Sequence, residues 1–169
     1  MRRARWRPLL AVMVLLAGGS FVAADGASLE RWRVALHAAE RQVEEGRFEE
    51  AGKLFRQVID GATSLGDPNL PLARAVDGLA DVQRLSGRLD EAEGLYLRSS
   101  RMWEALLGKR QPRLATTLHN LGLVYVAQGH PDRATPPLRR ALAIWEATLG
   151  AGSAQAANTR RALRQLSPR

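Results

Sequence analysis

Apolar and polar positions recur along this chain with a helical period, and each stretch that carries the period ends at a regularly placed glycine. Gly46, Gly66, Gly87, Gly108, Gly129 and Gly150 follow one another at intervals of 20, 21, 21, 21 and 21 residues. Glycine adopts the left-handed backbone conformation that closes a helix, so the spacing marks a train of helices ended one after another. It predicts helices over 28–45, 49–65, 71–86, 89–107, 112–128, 132–149 and 153–166, with a rise of about 1.5 Å per residue making each roughly 25 Å long. Two glycine intervals, about 42 residues, make one antiparallel helix hairpin. A recurring hairpin predicts an all-α solenoid, because a single hairpin cannot bury its apolar face alone.

Superimposing the chain on itself makes the repeat concrete. Trp103, Glu104, Ala105, Leu107 and Gly108 recur as Trp145, Glu146, Ala147, Leu149 and Gly150. Gly87, Leu89, Ala92 and Tyr96 recur as Gly129, Pro131, Ala134 and Leu138, and one repeat earlier as Gly46, Phe48, Ala51 and Phe55. A partial fourth copy follows, in which Ala115, Thr117 and Leu121 reappear as Ala157, Thr159 and Leu163. Small residues in the first helices (Ala39, Ala80, Gly122) and alanines in the second (Ala51, Ala92, Ala134) predict close approach of paired backbones. Larger groups such as Leu79, Leu121, Phe55, Tyr96 and Leu138 then fill the space beside them. Pro136 and Pro137 predict an irregular sixth helix, with Thr135 as a late N-cap. The seventh helix has no partner and is expected to cap the stack.

The stretch from Gln111 to Gly150, QPRLATTLHNLGLVYVAQGHPDRATPPLRRALAIWEATLG, resembles the tetratricopeptide repeat in the 42-residue variant of kinesin light chains. The shared pattern is Pro, Ala-Thr, Leu-x-Asn-Leu, Tyr, Gln-Gly, Arg-Arg-Ala-Leu and Leu-Gly, and the resemblance extends over nearly all of residues 30–166. It implies a right-handed superhelical solenoid of about three hairpins, over 30–66, 71–108 and 112–150, with a capping helix at 153–166. It also implies a concave face lined by the first helix of each pair.

The first residues form a separate object. Arg2, Arg3, Arg5 and Arg7 precede an apolar core from Leu9 to Ala17, and Val22 and Ala24 occupy the positions a signal peptidase reads. Residues 1–24 are therefore expected to be a signal peptide cleaved after Ala24, leaving 25–169 as the repeat domain, exported to the periplasm or secreted. An uncleaved anchor is the lesser alternative. The chain has no cysteine, which excludes disulfides and thiolate chemistry even in an oxidising compartment.

Charge is unevenly distributed. The formal net charge is +8, but residues 25–66 and 67–108 each sum to −2 while residues 109–169 sum to +8. Arg133, Arg139, Arg140, Arg160, Arg161 and Arg164 form a candidate basic patch for an acidic partner or an anionic envelope surface. Nucleic acid is disfavoured, since these arginines lack interleaved aromatics.

Reaction chemistry is missing from the sequence: there is no phosphate-binding glycine loop, no histidine pair at metal spacing and no nucleophile elbow. No enzyme activity, metal or cofactor is expected. His37 with Glu40 reads as a solvated pair, and the tryptophans read as packing between repeats. The resemblance places a partner-binding groove along the first helices. Arg33, Leu36 and Glu40 come from the first repeat, and Arg74, Asp77, Asp81 and Arg84 from the second. Thr116, His119, Asn120 and Leu123 come from the third, and Asn158 and Arg161 from the terminal helix. Such grooves receive peptides whose backbone is held by asparagine amides; Asn120 fits that pattern, whereas Gly78 and His37 stand at the matching earlier places. The expected function is an exported, non-catalytic interaction module that binds a peptide or protein segment in its groove. The alternative is an adaptor that docks by its basic end or self-associates, and the sequence leaves the oligomeric state open.

Overall fold

The computed structural model describes residues 26–166. The expected signal peptide, the leader arginines and the terminal Arg169 lie outside the described residues. Within them seven α-helices and no strands occur: α1 (Gly26–Glu44), α2 (Phe48–Thr63), α3 (Leu70–Leu85), α4 (Leu89–Leu107), α5 (Pro112–Ala127), α6 (Pro131–Leu149) and α7 (Ala154–Leu166). Every helix expected from the glycine spacing is present, with ends displaced by two residues at most. Consecutive helices pack on one another throughout, the pattern of stacked hairpins, and α1 also reaches α3. No helix among the described residues is long and apolar enough to cross a membrane.

All six spaced glycines lie at corners and all have positive φ. They close helices in two ways. At Gly129 (φ 77°) the chain turns back on itself, with the His130 amide donating to the Tyr125 carbonyl at 2.8 Å and the Gly129 amide to Val126 at 3.0 Å. These two bonds satisfy carbonyls that the helix end would leave bare. At Gly108 the backbone is extended with positive φ (86°, ψ 178°), a region essentially closed to residues with a Cβ. The entry to α3 is fixed by a side chain instead. Asn69 accepts from the Leu72 amide at 2.9 Å and donates to the carbonyls of Ala62 and Gly66, tying the end of α2 to the start of α3.

The small residues at the helix crossings do what their size predicts. Ala39, Ala51, Ala80, Ala92 and Ala134 have no accessible surface, and Phe55, Tyr96 and Leu138 are buried beside them. A Cβ built on Gly78 would come within 2.3 Å of the Phe55 ring, and one on Gly122 within 2.5 Å of Leu138. Trp103 and Trp145 belong to the core between repeats, whereas Trp32 is half-buried against it.

The sixth helix corrects one expectation. It begins at Pro131 and runs through Pro136 and Pro137 to Leu149, without a late cap at Thr135. Proline suits the first helical position, where its missing donor has no partner anyway. The carbonyls that lose amide donors to Pro136 and Pro137 belong to Asp132 and Arg133, both exposed residues. The Thr135 hydroxyl donates inside the helix, to the Pro131 carbonyl at 3.0 Å.

Helix crossings without room for a methyl group make a direct prediction. Gly122→Ala, and equally Gly78→Ala, should lower unfolding free energy by about 1–3 kcal/mol through overpacking. Gly94 lies within α4 with open space around it, so Gly94→Ala should be stabilising by about 0.5–1 kcal/mol, the helix-propensity difference. Urea unfolding followed by circular dichroism distinguishes the two; equal effects at Gly94 and Gly122 would refute the packing account.

Candidate functional site

Polar contacts between residues far apart in sequence show which helices lie side by side. On the side of the odd-numbered helices, Arg74 of α3 donates to Glu40 of α1 at 2.6 Å. Thr117 and Asn120 of α5 donate to Asp77 and Asp81 of α3 at 2.7 and 2.9 Å. Thr159 of α7 meets Nδ1 of His119 on α5 at 3.0 Å. On the even-numbered helices, Arg133 and Arg140 of α6 reach Glu93 and Glu104 of α4. The odd helices therefore form one continuous side of the stack, and the sequence-predicted groove residues all lie on them.

The structure divides those residues into a fixed floor and an open set. Leu36 is 2% exposed and belongs to the apolar core, and Asp77 is 7% exposed, so neither presents a free side chain to a guest. This corrects their expected role as surface contacts: Leu36 is packed in the core, and Asp77 is covered where Ser99 of α4 and Thr117 of α5 meet it. Glu40 and Arg74 are taken up by each other. Asp81 accepts from the Tyr96 hydroxyl and from Asn120, and sits beside Arg84, whose Nε lies 3.2 Å from the same hydroxyl. Asn120 is thereby turned to its neighbouring helix. Arg33 is exposed and paired with Glu30 on its own helix. Thr116 and Leu123 are half-buried, and Asn158 and Arg161 are exposed.

Among the described residues, the floor holds a carboxyl, a phenol and an imidazole that are all displaced from their ordinary values. One oxygen of Asp77 accepts hydroxyl hydrogen bonds from Ser99 of α4 and Thr117 of α5, at 2.9 and 2.7 Å. Burial pushes the carboxyl up to about 6; repulsion from Asp81 adds to the rise, while the two hydroxyls and Arg113 oppose it. His119 moves the other way, since burial and the nearby Arg84 guanidinium both disfavour its protonated form. Burial also raises the Tyr96 phenol, with the Asp81 charge reinforcing it.

Ser99, Thr117 and Tyr96 were not among the expected site residues, yet they complete this floor. The signal for Thr117 was present in the 42-residue recurrence of Thr117 as Thr159. Asp77 and His119 stand at that same interval, and each meets the threonine of the following inner helix. Ser99 left no periodic trace.

The basic patch is only partly free. Arg133 pairs with Glu93 and lies with its guanidinium 4.2 Å from the centre of the Tyr125 ring. Arg140 pairs with Glu104 and Arg160 with Glu146, both at 2.8 Å. Arg139, Arg161 and Arg164 are exposed and form no ion pair among the described residues. Among the same residues no group of three or more potential metal ligands comes together.

Comparison with known proteins fits this architecture. The family model for the tetratricopeptide repeat matches residues 33–102 and 72–147. Among solved structures, the nearly identical TPR-like repeats of a kinesin-light-chain-like protein from Podosopora anserina superimpose with a TM-score of 0.71 at 23% identity, covering 80% of this chain and 65% of that one. BtubC (BKLC) from P. vanneervenii gives 0.69 at 25% identity, covering 83% and 55%. The chain thus spans less than two thirds of either. PcrH of Pseudomonas aeruginosa, in complex with the chaperone binding region of PopD, gives 0.64 at 21% identity, covering 90% of this chain and 96% of that one. No curated protein matches.

The raised Asp77 carboxyl has a testable sign. The folded chain holds this proton more tightly than the unfolded chain does. Its contribution to stability is full below the ordinary value of 3.8 and is lost as pH rises through about 6. Asp77→Asn, neutral at every pH, should therefore raise the melting temperature at pH 8 by about 2–6 °C and flatten its change between pH 5 and 7. Calorimetry at several pH values checks this, and a lower melting temperature for the variant at pH 8 would contradict it.

Proposed function

Because the chain belongs to the tetratricopeptide repeat family, we propose that it is an exported, non-catalytic interaction module that takes a peptide or protein segment along its odd-numbered helices. The observation that carries this reading is the division of that side into a fixed floor and an open rim. Asp77, Asp81, Arg84 and Asn120 are held by neighbouring helices, so the surface is ordered before a guest arrives. Thr116, Leu123, Asn158 and Arg161 stand along it at half-buried or exposed positions. A preformed surface loses little entropy on association, which leaves the guest to supply the ordering cost. The likeness in fold to PcrH, whose structure includes the chaperone binding region of PopD, supports a protein segment as the guest. Export rests on the leader from Met1 to Ala24.

A second reading is favoured by one observation: Arg139, Arg161 and Arg164 are exposed without carboxylate partners among the described residues. In that reading the C-terminal end docks on an acidic partner or an anionic envelope surface.

Crosslinking from the native cell envelope separates the two. A Thr116→Arg/Asn158→Ala variant should lose the captured protein by about tenfold or more, while Arg139→Gln/Arg164→Gln should retain it. The reverse result transfers the function to the basic end, and no change in either variant removes both assignments. Intact-mass measurement of the exported chain should give a protein beginning at Asp25; material that keeps residues 1–24 would overturn the cleavage site.

A further inference from the structure

We propose that the polar joint between α3 and α5 is a proton-operated hinge that sets the spacing of the odd-numbered helices. The inference does not depend on whether a guest lies along those helices. It starts from how narrowly α3 and α5 meet: both pack broadly on α4 but touch each other over a small area. Two side-chain hydrogen bonds join them there, Thr117 on Asp77 and Asn120 on Asp81. A single carboxylate oxygen of Asp77 gathers α4 and α5 onto α3 through Ser99 and Thr117.

Such a tie depends on charge, because a hydrogen bond to an ionised carboxylate is roughly twice as strong as one between neutral groups. When Asp77 takes up a proton, the tie weakens. Thr117 then has a second acceptor in its own helix, the Arg113 carbonyl at 3.2 Å, so its hydroxyl can turn away from α3 without being left unsatisfied. The charged groups acting on Asp77 are Asp81, one turn further along α3, and Arg113 at the start of α5; α4 faces it with the neutral Ser99 hydroxyl. His119 of α5 lies against Thr159 of α7 and near Arg84 of α3; burial and that guanidinium both disfavour a proton on its ring, which leaves Asp77 as the group that sets the response of the joint. Global stability and joint stiffness separate here. Protonation relieves the cost of a buried charge, yet it loosens the contact which that charge held together.

The chain has no cysteine, so spin labels can be placed at will. Arg41→Cys on α1 and Asn158→Cys on α7 put one label on each end of the row, both at exposed positions. Pulsed electron resonance distances in the otherwise unaltered chain should move between pH 8 and pH 5 with a midpoint near pH 6. On an Asp77→Asn background the distribution should match the acid form at both pH values. Thr117→Val removes the donor but keeps the shape, and should give the acid-form distribution already at pH 8, which covers the case in which Asp77→Asn does not fold. An identical distribution at both pH values in the parent chain overturns the hinge. So does a shift of undiminished size in Asp77→Asn, or a Thr117→Val chain indistinguishable from the parent at pH 8.

Discussion

The close approach of neighbouring helix backbones, within a hairpin at Gly122 and between hairpins at Gly78, is the constraint on which the rest of this molecule depends. At Gly78 and Gly122 the partner helix presses Phe55 and Leu138 into space that even a methyl group would occupy. Alanines without accessible surface serve the same end at Ala51, Ala92 and Ala134. Once the backbones are this close, large residues fit only against a bare glycine or beside the crossing. That places Phe55, Tyr96, Trp103 and Trp145 in the space between neighbouring elements, where they join one pair to the next. Stacking follows from this geometry, because the apolar surface displaced from the crossing has no cover except a neighbouring hairpin.

Polar groups then decide how the stack is finished on its inner side. Equivalent positions one repeat apart carry Leu36, Asp77, His119 and Arg161. The first lies in the apolar core, the next two meet a threonine of the following helix, and the last is exposed on α7. One register therefore passes from apolar packing, through hydrogen bonding, to open charge. A buried carboxylate is a poor way to gain stability, since desolvation offsets much of the attraction its partners provide. Its effect is to gather α4 and α5 onto α3 through one oxygen, which accepts from Ser99 and Thr117.

Surface charge shows how far position in the chain differs from position in space. Residues 109–169 sum to +8, yet Arg133 and Arg140 fold back onto Glu93 and Glu104 of the preceding repeat. Exposed pairs of this kind contribute about 0–1 kcal/mol each, so their main result is to remove charge from the surface. Of the candidate basic patch, Arg139, Arg161 and Arg164 are left for a partner, alongside the polar rim of the odd helices.

The number, order and ends of the helices were legible in the sequence, and so was the use of small residues at the crossings. Both are local matters: a glycine that must adopt positive φ, or a missing side chain at a fixed place in a repeat, keeps its meaning wherever the helix finally packs. Proline misled at α6, because Pro131 at the first helical position let the helix start early and carry Pro136 and Pro137 within it. The candidate site was legible as a set of helices but not as a set of free side chains. Leu36 and Asp77 occupy the expected face and are covered, while Ser99, from an outer helix, reaches the floor that Asp77 forms. Only the tertiary structure could decide this, since burial and pairing at a boundary depend on how far two helices approach and on which residue of a third lies opposite. A repeat period fixes which residues are equivalent; it does not fix what stands across from them.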